Sequence, residues 1–331
     1  MERGSRSPRR ARTCLLRING GSTNTNFGSS LALFDLGTST GGLSNRNGGT
    51  TINIGALEGG PGTALSGRQS GSGATASTYV VGALNGNNTF AGMIETGGDQ
   101  DGVNITKVGT GDWTLSGTSS FIGNIEVEAG TLTISGSCNN GALAFEAQSG
   151  AAFVLAGGAV STQMVQIDSG ATFSGYGTIN ANLVNNGVSS VNGGPLTVNG
   201  SFQNDGTLTV DGSASLVVNL PTGGSGFVNN GLLDLMDSPQ TALPSGYVNN
   251  GTILTNSLVT VKQFSKSGTT FSVQIQSYTG HTYQLQKSAN PASGSWQNVG
   301  AAQSGVTGTT LVLSDTSASS TGMCYQIGVG P

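Results

Sequence analysis

Apolar and polar residues alternate along most of this chain, but only in short runs, and each run opens on glycine. The segments Gly130-Thr131-Leu132-Thr133-Ile134, Gly150-Ala151-Ala152-Phe153-Val154, Gly170-Ala171-Thr172-Phe173, Gly187-Val188, Gly206-Thr207-Leu208-Thr209-Val210, Gly231-Leu232-Leu233-Asp234-Leu235 and Gly251-Thr252-Ile253-Leu254 repeat the pattern. Alternation of period two places Ile125, Val127, Leu132 and Ile134 on one face of a strand and Glu126, Glu128, Thr131 and Thr133 on the other. The glycines recur about every 20 residues, too few for a unit to bury a core alone. That spacing suits one coil of a β-solenoid, whose apolar face is buried only against the coils above and below. The pattern therefore predicts all-β architecture, a stack of parallel coils with Leu132, Phe153, Ile167, Phe173, Leu208, Leu235 and Ile253 inside.

Asparagine pairs precede many of these glycines: Asn139-Asn140, Asn185-Asn186, Asn204-Asp205, Asn229-Asn230 and Asn249-Asn250. Asn tolerates the left-handed conformation, and the following Gly permits positive φ at the corner. Repeated coil after coil, such amides are expected to stack and hydrogen-bond along the axis, as in cross-β ladders. Binding of sugar hydroxyls is the functional alternative for the same row. Residues 18–104 have similar composition but looser spacing and read as irregular N-terminal coils; residues 105–257 read as the regular solenoid. Beyond Ser257 the period stops. Longer alternating strands follow (Val259 and Val261; Phe271, Val273 and Ile275; Tyr283 and Leu285; Leu311 and Leu313; Tyr325, Ile327 and Val329), with the turn spacing of a β-sandwich. Residues 258–331 are thus expected to form a small β-sandwich-like domain.

Composition narrows the field. Gly is 56 of 331 residues and charged residues are 8%, which argues against helices and against a charge-solvated disordered chain. The net charge is −4, yet six arginines (Arg3, Arg6, Arg9, Arg10, Arg12 and Arg17) crowd the first 17 residues. No cation stands between Lys107 and Lys262. Such a body cannot neutralise phosphates, so nucleic acid is excluded as a partner, and an anionic membrane surface is disfavoured for the same reason. The basic stretch 1–17 lacks the apolar core of a signal peptide and reads as a disordered or non-native leader outside the fold. No segment is apolar enough to span a membrane as a helix.

No residue qualifies as catalytic, cofactor-binding or metal-binding. Glu126 and Glu128, two apart on one outward strand face, have a spacing compatible with glycoside cleavage. They lack an aromatic platform or an arginine nearby and read as a solvated face. His281, between Gly280 and Thr282, is the chain's one histidine; it reads as a turn residue, without the partners of a nucleophile triad. Asp99-Gln100-Asp101-Gly102-Val103-Asn104 has oxygens at alternate places, as calcium loops do, but no downstream bidentate Glu. It reads as an acidic turn, with calcium near Asp99 and Asp101 left open. Thr131/Thr133 and Thr207/Thr209 are too few for a flat ordered array. Cys14, Cys138 and Cys324 make neither a metal spacing nor a disulfide framework.

One segment is more specific. Ile105-Thr106-Lys107-Val108-Gly109-Thr110-Gly111-Asp112-Trp113-Thr114-Leu115-Ser116-Gly117, with Phe121, Gly123 and Val127-Glu128-Ala129-Gly130-Thr131-Leu132-Thr133-Ile134, resembles the autotransporter-associated β-strand repeat of bacterial passenger domains and large surface proteins. Asn124-Ile125 departs from it, where the family carries threonines. Residues 55–68 are similar to repeat-bearing proteins of Verrucomicrobia and relatives, and residues 283–299 resemble their small C-terminal β-domain. The resemblance implies a right-handed parallel β-helix, export, and an extracellular or cell-surface location, with no catalytic site and no cofactor. The membrane β-barrel of a true autotransporter is not expected in 258–331, which is too short for it. The function expected is a non-enzymatic structural or adhesive one, as stalk, adhesin or matrix component. The alternative is a polysaccharide-binding or polysaccharide-processing β-helix. Glycans and other surface proteins are the partners expected, with self-association open.

Overall fold

The computed structural model describes residues 15–18, 26–46, 49–67, 76–97, 101–141, 143–220, 226–238, 241–255, 259–319 and 322–330. The basic stretch 1–14, Cys14 and Asp99 lie outside them. Among the described residues there is no α-helix; one 3-10 turn occupies Pro291–Ser293. Two compact units divide the chain. One comprises Met1–Leu233 and Gln240–Thr252, the other Asp234–Pro239 and Ile253–Pro331.

The first unit is a parallel β-solenoid of about ten coils. Its logic shows where three strands of one coil, Gly130–Ile134, Ser137–Asn139 and Ala144–Ala147, all pair in parallel with the single strand Ala151–Ile167 of the next. Each coil thus has three strand faces, and Ala151–Ile167 turns the corners through register shifts at Ala156/Ala159 and Ser161/Met164. One side-chain column runs Phe27, Ile52, Tyr79, Ile105, Ile125, Phe145, Val165, Leu183, Phe202, Phe227, each residue opposite the next. From Ile52 onward every member is buried. The loose spacing before Ile105 therefore reflects longer loops on the same coils, not a different architecture.

Strand spacing of about 4.8 Å between neighbouring coils brings column members into van der Waals contact. Phe202 and Phe227 lie with ring centroids 5.2 Å apart, and Phe153 and Phe173, opposite one another on another face, 5.3 Å apart. Of the residues expected inside, Leu132, Phe153, Ile167, Phe173, Leu208 and Leu235 are buried. Ile253 is only half-buried, and its neighbour Leu254 takes the interior position. A further correction concerns the start. Leu15–Ile18 is a strand paired in parallel with Gly42–Asn45, so residues 15–17 of the stretch expected outside the fold belong to the solenoid.

Many glycines serve close approach more than turn geometry. Gly187, Gly206, Gly231 and Gly251 have no positive φ. A Cβ on each of the last three would overlap the carbonyl oxygen of the glycine one coil before it. Gly130, Gly150 and Gly170, by contrast, do have positive φ (64°, 86° and 83°), as a corner requires.

The second unit holds two small antiparallel sheets. Its strands are β1 (Val261–Ser267), β2 (Thr270–Gln276), β3 (Thr282–Ser288), β4 (Gln297–Asn298), β5 (Gln303–Ser304), β6 (Thr310–Asp315) and β7 (Cys324–Gly330). One sheet runs β1-β2-β6; in the other, β3 is flanked by β4 and β5 on one side and β7 on the other. Val273, Ile275, Tyr283, Leu285 and Leu313 form the core between them. Val261, one of the alternating apolar positions, is 48% exposed.

Candidate functional site

Parallel stacking turns residues that are far apart in sequence into neighbours, and the polar features of the solenoid arise this way. Asn185, Asn204 and Asn229 are fully buried. The Nδ2 of Asn185 donates to Asn204 Oδ1 (2.7 Å), that of Asn204 to Asn229 Oδ1 (2.7 Å), and that of Asn229 to Asn249 Oδ1 (2.8 Å). The second N–H of each of the first three reaches a backbone carbonyl, of Thr207, Leu232 and Thr252 respectively. Burial of these three amides is tolerable only because the bonds replace water; Asn249, the last acceptor, is exposed. Asn139 and Asn140 do not join this file. Asn139 sits opposite Ser161 on another face, and Asn140 Nδ2 donates to the Ala144 carbonyl. A second, exposed file stands on the outer surface, Ser161-Asn180-Asn199-Asn219, with amide bonds of 3.0, 2.7 and 2.8 Å.

Lys107 occupies an interior position, opposite Val81 and Val127, and is 1% exposed. Its Nζ donates to the carbonyls of Val108 (2.8 Å), Gly109 (3.0 Å) and Ala129 (3.1 Å). Those three acceptors match the three N–H bonds of an ammonium. Burial lowers its pKa to about 8, against the opposing field of Asp112, so the group remains charged at neutral pH. This lysine ties two consecutive coils and is buried structure, not a surface cation.

The carboxylates follow the same rule. Glu126 lies opposite Glu146, one coil on, and Asp168 stands one coil further. Burial raises the Glu146 pKa first, and a hydrogen bond with Asp168, the Asp168 charge and the Glu126 charge raise it further. Between the ordinary carboxylate value and that raised one, the folded chain holds more protons than the unfolded one. Glu146 therefore removes stability as pH rises through that window. Glu128 does not pair with Glu126 on a common strand. The strand is Ile125–Val127, and Glu128 is exposed in the turn that follows. Read along the chain, the acids look scattered one per coil. In a solenoid, acids one coil apart become neighbours: Glu126 and Glu146 stand in register and Asp168 lies two residues beyond Gln166, the residue opposite Glu146, and that was the missed signal.

His281, which directly follows the Thr279-Gly280 turn, is buried. Its Nε2 lies 2.6 Å from Asp234 Oδ2, and Asp234 Oδ1 accepts from the Met236 N–H. Its Nδ1 has no hydrogen-bond partner, so no hydroxyl or thiol stands where a nucleophile would. The pair pins the segment Asp234–Pro239 to the rest of its unit. In the same unit Asp315 accepts from Lys287 Nζ (3.0 Å), the Ser317 N–H (2.9 Å) and hydroxyl (3.0 Å), and the Tyr325 hydroxyl (3.0 Å). Burial alone would raise the carboxyl; these donors outweigh it and hold it at about 2.

Two threonine pairs belong to a longer low-relief face. Between Thr131/Thr133 and Thr207/Thr209 the same outward positions hold Ala152/Val154, Thr172/Ser174 and Val188/Ser190. Cys138 is buried and pushed up to about 12 by that burial, while Cys324 is exposed and free. Asp101 is buried; among the described residues no group of three His, Cys, Asp or Glu side chains could hold a metal ion. No helix among them is long and apolar enough to cross a membrane.

Stacked coils, amide files and interior glycines define a parallel β-solenoid. Residues 105–134 match the family described as Passenger-associated-transport-repeat, an autotransporter repeat. The repeat and the solenoid fit a secreted or surface-exposed passenger domain. No curated protein and no solved structure matches the chain.

Proposed function

We propose that this chain is a non-enzymatic extracellular or cell-surface solenoid serving as stalk, adhesin or matrix component. The unbroken column from Phe27 to Phe227, of which the matched repeat forms one stretch, carries this reading. A long stack of near-equivalent coils with short side chains outside provides length and surface, and no pocket in which reacting groups converge. Among the described residues the histidine is engaged by Asp234, the interior lysine by three carbonyls, and Glu126, Glu146 and Asp168 gather on an outward face of the coils rather than around the histidine or the lysine.

Polysaccharide binding is the second reading, and the exposed file Ser161-Asn180-Asn199-Asn219 favours it, since surface amides suit sugar hydroxyls. The deciding experiment is product release from pectins, alginates, xylans and chitin, with and without calcium, alongside a glycan-array screen. No release is expected. Turnover that Glu146→Gln abolishes would overturn the non-enzymatic reading. Array binding lost on Asn199→Ala would establish the glycan one.

A further inference from the structure

The exposed file of the solenoid differs from the buried one in how its amides are used. In the buried file the second N–H of Asn185, Asn204 and Asn229 goes to a backbone carbonyl. In the exposed file Asn180, Asn199 and Asn219 each give one N–H to the rung before, and among the described residues no protein group accepts the second. The Oδ1 of Asn180 and that of Asn199 each accept one bond and keep a second lone pair. Each rung therefore has a donor and an acceptor to spare, and the bond along the file fixes the amide that presents them. At the foot, the Ser161 oxygen accepts from Asn180, which leaves its own hydrogen to donate. Asn139, opposite Ser161 one coil earlier, turns its Oδ1 to the Gly141 N–H and stands outside the file. Ser161, Asn180, Asn199 and Asn219 thus make four rungs, on successive coils about 4.8 Å apart. Beside them, two residues earlier on each strand, runs the row Ala159, Thr178, Thr197 and Val217, short and uncharged.

We propose that this file binds a neutral, linear, β-1,4-linked glycan lying along the solenoid axis, one sugar ring to each coil. The inference rests on the polysaccharide-binding reading above and narrows its ligand. Repeat selects the linkage. Pyranose rings joined β-1,4 through equatorial bonds form an extended ribbon whose advance per ring is close to the strand spacing. Rings joined α-1,4 wind into a helix, which leaves a straight file after a contact or two. Successive rings of the ribbon turn over, so the group facing the protein alternates between a ring hydroxyl and the substituent of the other edge. An amide with one donor and one acceptor to spare meets either. Charge selects the rest. Neither row carries a charged side chain, and no lysine or arginine occurs between Lys107 and Lys262. A uronate chain would lose hydration here without gaining a counter-charge; a neutral chain has no such penalty. Amides already held in place by the file also lower the ordering cost of binding.

The test uses the full chain and fluorescent oligosaccharides of two to six rings: the cello and chito series, both neutral and β-1,4-linked, the α-1,4-linked malto series, and β-1,4-linked oligomannuronate. Saturable anisotropy is expected with at least one of the two neutral β-1,4 series, its affinity rising about threefold per added ring up to four rings and level beyond. At four rings the malto series and oligomannuronate should bind at least about tenfold more weakly. Asn219→Val removes the last rung and should move the plateau to three rings. Asn219 is exposed and gives the file a single bond, so an unchanged melting midpoint is expected; Asn219→Ser serves in its place if the midpoint falls. Affinity indifferent to length, a malto series or oligomannuronate bound as tightly, or a plateau that stays at four rings in the variant would overturn the proposal and leave polysaccharide binding standing. So would binding on a glycan array to other sugars alone. No binding to any glycan, on the array or in solution, would overturn both.

Discussion

Lys107 sits where the alternation calls for an apolar side chain, and three carbonyls make that position tenable. Replacing it by Met would preserve the volume and strand all three acceptors in the interior. Unsatisfied buried carbonyls outweigh the relief of removing a buried charge. Lys107→Met is therefore expected to cost about 2–4 kcal/mol in urea titration at pH 7; a cost under about 0.5 kcal/mol would mean that water reaches those oxygens. Its pKa of about 8 lies below the usual 10.5. Between those values the unfolded chain holds the extra proton, so this group's contribution makes stability rise with pH from about 8 to 10.5. In Lys107→Met that rise should vanish, measured as the difference between the two chains' urea midpoints across the window.

At the scale of the coil, glycine has two separate jobs, and they predict different penalties. Gly231→Ala would drive a Cβ into the Gly206 carbonyl, a backbone clash that only displacement of the coil can relieve. It should cost about 3 kcal/mol or more. Gly150 has φ of 86° and open space around its missing Cβ, so Gly150→Ala should cost only the left-handed strain, about 1–2 kcal/mol. Equal penalties in denaturant titration would mean that one of these two assignments is wrong. The coil itself was legible because glycine spacing and period-two alternation are local signals, and so were the Asn185, Asn204, Asn229 and Asn249 positions. What was not legible depends on how many residues each loop takes. The triple-faced coil puts Asn139 on a different face from Asn185, although both precede a glycine in the same way. The strand ends at Val127, so Glu128 stands just beyond it. Glu146 joins Glu126 only because consecutive loops happen to be equal in length.

The molecule has two units, and each holds one of the chain's two tryptophans: Trp113, buried in the solenoid, and Trp296, half-buried in the smaller unit. In a Trp113→Phe background, emission therefore reports the smaller unit alone. Asp315 is held at about 2, below its ordinary 3.8. Its contribution is fully present above about 3.8 and is lost as pH falls toward 2. The smaller unit should lose about 1–2 kcal/mol across that range, read from the urea midpoint of Trp296 emission, and Asp315→Asn should flatten the dependence. A slope that survives Asp315→Asn would place the acid sensitivity elsewhere. The amide files bear on length. In the buried file every Nδ2 donates toward the higher-numbered coil, from Asn185 to Asn249. In the exposed file every Nδ2 donates the other way, from Asn219 to Asn180 and on to Ser161, and Asn250 and Asn230 do likewise toward Asp205. Opposed files cancel one another's dipoles. An α-helix accumulates partial charge at its ends from aligned peptide dipoles; here the addition of another coil lengthens the amide chains without charging the tips. Growth by coil duplication is then electrostatically neutral, and the number of coils is left free to be set by the reach the protein requires.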